Sequence, residues 1–307
     1  MTISNNKWGW LFVTSFKGIS QVIFIDNAVS GFIMLIAITL ASYPLGIIAL
    51  ISSMVGTLVA KIGGADNENI NQGLFGYNSV LTGMALSLFL TGNDRWLIAV
   101  VGAAIAAIVT AAMMHFMRQT NIPILTFPFI VITWFLLLST YRLVSFNISS
   151  ALIPQSLSHW TLDIRGQMNW LTGALDSMGQ IFFLDHALSG ILLFIAVFWA
   201  GWRWGLYAMV GTVAALLTSY FLRGEHTLIS HGLYGYNAVL TMLAVSEVFK
   251  ENHRYSVVTG IFAACLTIPI TASIDTWLLP YGLPALTMPF VVCTWIFLAA
   301  RNVMSQI

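Results

Sequence analysis

A glutamine three residues ahead of a phenylalanine occurs twice in similar surroundings, as Gln21 with Phe24 and Gln180 with Phe183. A threonine two residues before a proline also recurs, at Thr126 in IPILTFPFIVITW and at Thr287 in LPALTMPFVVCTW. All four polar side chains sit in strongly apolar stretches, where an amide or hydroxyl is costly unless it is paired or wet. The prolines nearby (Pro123, Pro128, Pro284, Pro289) cannot donate a backbone hydrogen bond and bar the preceding residue from helical geometry. A helix broken or started there frees carbonyls, which in lipid find partners only against protein or a wet cavity. Side-chain and carbonyl oxygens together would line a passage with hydrogen-bond acceptors. That is chemistry of recognition rather than of bond making.

A third motif repeats beside these. Gly73–Leu86 reads GLFGYNSVLTGMAL and Gly232–Val245 reads GLYGYNAVLTMLAV. Its glycines allow close helix approach, and Asn78 and Asn237 are assigned to tying helices together. Tyr77 and Tyr236 are candidate lining residues, with Leu81 and Leu240 one turn later on the same face. A leucine on an apolar face is core by default, so those two depend on the neighbouring motif. Each polar candidate has a plain structural reading as well: a glutamine can glue helices, and a threonine can bond back to a helix carbonyl. Occurrence in two matching copies favours the pore.

Asp26 and Asp185 would suggest proton coupling if they lay inside the membrane. Each opens a long apolar run, however, and is expected to act as a helix N-cap. His115, His186 and His231 have no repeated histidine partner, since Asn27 stands opposite His186, so no metal site or cofactor is expected. No G-x-x-x-x-G-K-[ST] loop is present, which argues against nucleotide hydrolysis by that route. The reading is a non-enzymatic one.

The elements that must position these residues follow from composition. Hydrophobic residues make up 58% of the 307 and charged ones 7%, against roughly 25% charged in soluble domains. An all-α integral membrane protein is implied, with room for about ten helices of ~20 residues. A net charge of +1 gives no basic surface for nucleic acid. Cys265 and Cys293 lie in apolar runs and are expected to be free thiols. The apolar stretch Trp8–Phe16 lacks a cleavage site of small residues and is not taken as a signal peptide.

Apolar runs cover Asp26–Ser42, Pro44–Ala60, Phe75–Leu90, Trp96–Phe116 and Pro123–Tyr141. Five more cover Asp185–Ala200, Trp204–Leu222, Leu233–Val248, Ser256–Ser273 and Pro284–Ala300. The Gln-x-x-Phe and glycine motifs are offset by 159 residues between the sets and the Thr/Pro stretch by 161, which marks an internal repeat. The division expected is residues 1–145 for the first repeat, 146–168 for a linker with room for a surface helix, and 169–307 for the second. Five crossings is an odd number, so the second copy enters the membrane upside down, and such inverted repeats put the substrate site near the midplane. The stretches at about 8–22 and 169–181 are too short and polar to span. They are expected to be re-entrant, half-spanning helices closed by Gln21 and Gln180, with their negative dipole ends at the membrane centre. With ten crossings and an inside N-terminus, eight of the 12 Lys and Arg fall inside and four outside. That supports both termini in the cytoplasm.

A lining of neutral oxygens flanked by flat Phe and Tyr rings, without a ring of charge, strips ions of water uncompensated. It suits a small, uncharged, planar solute rich in N–H donors, such as urea or a close amide. The paired Gln-x-x-Phe, GLxGYN and LTxPF motifs make the chain similar to the urea transporters in their bacterial form, over about Gln21 to Arg301. The resemblance implies passive urea channels of the bacterial inner membrane, with ten membrane helices and two re-entrant helices per protomer. It further implies a homotrimer with one pore in each protomer. It assigns Phe24 and Phe183 as aromatic plates with Tyr77, Leu81, Tyr236 and Leu240 as their companions. Thr126 and Thr287 become hydroxyls of the central constriction, and Gln21 and Gln180 members of an oxygen ladder. Glu is frequent in the family at the position of Gln180. Two other readings compete: a proton-coupled transporter of small amides using Asp26 and Asp185, and a receptor-like membrane protein with a closed cavity.

Overall fold

The computed structural model describes residues 7–143, 147–158, 160–162, 164, 166–250 and 255–304. Arg165 and Arg254 of the loop-charge count fall outside these residues, as does Asp163 of the linker. The first half runs α1 (Lys7–Ser20), α2 (Ala28–Ala41), α3 (Tyr43–Ile62), α4 (Asn67–Asn71), α5 (Gly76–Phe89), α6 (Arg95–Met117) and α7 (Phe127–Ser139). The second repeats that order as α8 (Trp170–Gly179), α9 (Ala187–Ala200), α10 (Trp202–Phe221), α11 (His226–Ser230), α12 (Gly235–Leu243), α13 (Ser256–Leu278) and α14 (Met288–Arg301). A π turn over Ala244–Val248 continues α12. Among the described linker residues there is no α-helix: a 3-10 turn, Ser150–Leu152, follows a two-residue ladder of Leu90–Thr91 with Asn147–Ile148.

Among the described residues four helices are long and apolar enough to cross a membrane: α3, α6, α10, and α13 with the turn after it. Two further pairs pass only as bent units, α1 with α2 at 77° and α8 with α9 at 74°. At each bend the helix tightens into a 3-10 turn, Gln21–Ile23 or Gln180–Phe182, and ends on a phenylalanine in left-handed geometry. The short α5 is buried along nearly its whole length. At 14 residues it covers about two thirds of a ~30 Å hydrocarbon layer.

Helix starts follow local chemistry. Pro44, Pro128 and Pro289 occupy the first turns of α3, α7 and α14, where the missing N–H has no partner to lose. The Asn27 side chain accepts from the amides of Val29 and Ser30, capping α2. The N-cap expected of Asp26 thus falls one residue later, because Asn27 has the extended backbone a cap needs while Asp26 pairs with Lys17 at 2.7 Å. In the second half His186 holds the cap position without a side-chain bond, and Asp185 faces His231 at 3.2 Å. Both cysteines are free.

The glycine motif wedges the half-helices in place. Gly73 has φ +79°, and a Cβ there would stand 2.5 Å from the Gly18 nitrogen. Gly64 has a similar φ, +74°, with nothing within 4 Å of such a Cβ. Both alanine variants suffer backbone strain of about 1–3 kcal/mol, and only Gly73→Ala adds the clash. Thermal unfolding in detergent should therefore show Gly73→Ala melting well below Gly64→Ala. Equal melting temperatures would mean the contact between α1 and the start of α5 is slack.

Candidate functional site

The two halves exchange contacts reciprocally. Ser30 donates to the Ala196 carbonyl at 2.9 Å, and Ser189 donates to the Ala37 carbonyl at 2.8 Å. The indole of Trp134 donates to Pro284 at 2.9 Å, and that of Trp295 to Pro123 at 2.8 Å. In these pairs residue i of one half meets j of the other and the counterpart of i meets the counterpart of j, as a half-turn rotation requires. A residue that touches its own counterpart must then lie on the axis. Thr126 and Thr287 do so, with their hydroxyl oxygens 2.6 Å apart. They stand at the N-cap positions of α7 and α14, yet neither hydroxyl caps its helix, so both are free to meet on the axis.

The residues before them are strained. Leu125 and Leu286 have φ of +51° and +52°, and Phe24 and Phe183 have +62° and +59°. A bulky residue there costs of order 1–3 kcal/mol and persists only where its surroundings enforce it. The enforcement is visible. Tyr77 donates its hydroxyl to the Leu125 carbonyl at 2.7 Å, and Tyr236 to that of Leu286 at 2.6 Å. Asn78 and Asn237 add amide donors to the same carbonyls, at 3.4 and 3.1 Å, and accept from the Phe129 and Phe290 amides. The asparagines therefore tie helices together, as their motif suggested.

This bonding revises which oxygens face the interior. The carbonyls freed by proline were expected to serve as acceptors. Those of Leu125 and Leu286 each already take two donors, which fills both lone pairs. Those of Pro123 and Pro284 each take an indole. Of the polar candidates in the repeated motifs, the side chains of Gln21 and Gln180 form no hydrogen bond among the described residues and are partly exposed.

Two cavities flank the threonine pair. One of about 570 Å³ is lined by Gln21, Phe24, Tyr77, Leu125 and Phe249, with Arg118 as its charged lining residue. The other, of about 780 Å³, is lined by Gln180, Phe183, Tyr236, Leu286 and Phe89, with Asp275 and Glu225 as its charged lining residues. Each plate phenylalanine packs edge to face against rings of the opposite half. Phe24 meets Phe249 and Phe290 at 6.1 and 5.8 Å, while Phe183 meets Phe89 and Phe129 at 5.8 and 6.3 Å. Leu81 and Leu240 are fully buried in the core and line neither cavity. Thr126 and Thr287 are 2% and 4% exposed, so any solute reaching them must part the pair.

Sequence reasoning did not single out Phe89, Phe249 or Asp275. Asp275 is a lone carboxylate in the apolar α13, and it accepts a hydrogen bond from the Ala285 backbone. Its isolation in that run was the available signal. Arg301 is buried and donates to the Phe249 and Val245 carbonyls, which fixes Phe249 from behind. An outward groove lined by Leu175, Ile191, Phe194 and Phe198 offers no converging polar groups and does not resemble a binding site.

Apolar membrane-length helices, two bent helix pairs, and a buried threonine pair joining the starts of α7 and α14 mark a multi-pass membrane protein of the transport class. The sequence model of the urea transporter family matches residues 12–302. The chain belongs to that family. It is 25% identical over 287 residues to Urea transporter 1 of Ovis aries, covering 92% of this chain and 75% of that protein. To Urea transporter 1 of Rattus norvegicus it is 26% identical over 295 residues, with the same coverage. Membership supports urea transport across the membrane and places the chain among transporters rather than enzymes.

Proposed function

We propose that the protein is a passive channel for urea, with the Thr126–Thr287 pair as its narrowest point. The observation that carries this reading is the pair itself, on the axis between two cavities with matching Gln, Phe and Tyr linings. Urea enters either cavity flat between the aromatic edges, and its N–H groups turn from water to the Gln21 or Gln180 side-chain oxygen. At the centre the hydroxyls separate and accept from it in turn. The charged residues lining the cavities are Arg118 on one side and Asp275 and Glu225 on the other, while the threonine neck itself carries none, so an ion would be stripped of water without compensation there. Small amides of similar outline are further substrates.

The reading includes ten crossings arranged as an inverted repeat, with residues 1–145 and 169–307 as its copies and both termini cytoplasmic, as the loop charges favour. It also includes assembly as a homotrimer in the cell membrane with one pore per protomer, which rests on the family resemblance. The proton-coupled alternative is not favoured. Asp26 is 44% exposed and already paired with Lys17, and Asp185 is 58% exposed, so neither is a carboxylate isolated at membrane depth.

Purified protein in proteoliposomes tests this directly. Urea should equilibrate down its gradient at a rate unchanged by a protonophore, while formamide and acetamide pass and ions do not. Accumulation of urea against its gradient that collapses on adding the protonophore would overturn the channel reading.

A further inference from the structure

Repeat symmetry fails at one cluster, and the failure has a chemical sense. In the first half Lys17 and Asp26 form an ion pair at 2.7 Å across the base of the bend. The 159-residue offset puts Asp176 opposite Lys17, Asp185 opposite Asp26 and His231 opposite Gln72. The ammonium of the first half is thus replaced by a second carboxylate, and an imidazole joins it. Asp176 is 1% exposed, and its carboxylate oxygens find no hydrogen-bond donor; the groups set against them are the like carboxylate of Asp185 and the imidazole of His231. A buried carboxylate with no donor, set beside a second carboxylate, is costly to keep charged. It also lies in the last turn of α8, the negative end of that helix, where a cation is favoured and an anion is not.

Ligand atoms of Asp176, Asp185 and His231 lie within 4.8 Å of one another. His231 Nδ1 is 3.2 Å from Asp185 Oδ2, close to the roughly 3.3 Å edge of a tetrahedron with metal–ligand bonds of about 2.0 Å. Asp185 and His231 are 58% and 52% exposed, free to swing the remaining distance towards the fixed Asp176. Gly232, with φ +69°, lets the chain beside His231 lie directly on the Asp176 backbone. We propose that Asp176, Asp185 and His231 form a binding site for a divalent transition-metal ion, of which Zn2+ is the natural probe. Two carboxylates and one imidazole suit such an ion better than Mg2+ or Ca2+, which take oxygen ligands. Open positions on the exposed side leave room for water. A bound ion would join the end of α8 to the segment after Phe183 and so clip the loop that carries Gln180 and Phe183.

The sequence argument against a histidine site rested on the lack of a repeated histidine. A site used by one half alone escapes that argument. The test is equilibrium binding of Zn2+ to the detergent-purified full chain, which does not depend on urea transport, so its failure leaves the channel reading untouched. The expected result is about one Zn2+ per chain, unaffected by excess Mg2+. Affinity should fall about tenfold or more in His231→Gln, which installs the residue of the first half. Binding should vanish in Asp176→Lys, which recreates the Lys17–Asp26 pair, while the metal-free thermal transition stays at or above that of the parent. Because His231 is on the surface, its variant reports on binding even if the Asp176 variant misfolds. Absence of zinc binding in the parent, or equal binding in parent and His231→Gln, would overturn the site.

Discussion

Replacing Thr126 and Thr287 together by valine should slow urea flux about thirtyfold to a thousandfold while leaving the protein as well folded as the parent. Valine matches threonine in shape, and the two hydroxyls are each other's partners at 2.6 Å. Removing both leaves no buried group unsatisfied, and such paired replacement is nearly neutral for stability. Either single variant strands one hydroxyl in a site only 2% or 4% exposed, which costs about 1–3 kcal/mol. The double variant should therefore unfold at a higher temperature than either single one. Transport goes the other way. A solute at the neck loses two hydrogen bonds it cannot recover, raising the barrier by roughly 2–4 kcal/mol, or the stated range in rate. Stopped-flow measurement on proteoliposomes reads the rate, and undiminished urea flux in the double variant would remove the hydroxyls from the path.

The second large effect concerns the plates. Phe24→Leu with Phe183→Leu keeps most of the apolar volume and removes the flat faces. Each ring contact is worth about 0.5–1.5 kcal/mol beyond its buried area. Loss at both ends should lower urea permeability by about fivefold to a hundredfold. Water needs no flat surface, so its permeability should hold or rise, and the ratio of urea to water is the diagnostic quantity. A ratio equal to that of the parent would show that the rings only fill space. Leucine accepts the left-handed backbone required here, as Leu125 and Leu286 demonstrate at φ +51° and +52°.

What the sequence revealed follows from what repeats and what does not. Gln21/Gln180, Thr126/Thr287 and the glycine motif were legible because each came twice, and their elements because apolar runs and prolines mark helix limits within a few residues. Side-chain reach was not legible. Nothing in the spacing told that Trp134 and Trp295 would claim the carbonyls of Pro284 and Pro123, or that Asn27 rather than Asp26 would cap α2. Helical periodicity placed Leu81 on the face of Tyr77 but could not tell a wall of a cavity from packed core. Phe249 and His231 gained their meaning from residues more than 40 positions away, Phe24 and Asp185 among them. A reading that leaned on symmetry was also blind wherever one half departs from the other, as Asp275 and Asp176 do.

The crossed bonds between halves carry a mechanical corollary. Ser30 and Ser189 latch α2 and α9 to each other, and Trp134 and Trp295 each clip the opposite half's broken strand of backbone. Rocking one half against the other would have to undo all four at once. On the channel reading proposed above, the scaffold would act as a rigid nozzle whose moving parts are the two threonine hydroxyls and the Gln21 and Gln180 amide arms. Such motions take picoseconds to nanoseconds, whereas carriers that reorient whole bundles wait microseconds to milliseconds per cycle. Throughput in such a channel would be governed by how fast solute sheds its hydration, with no conformational clock above it.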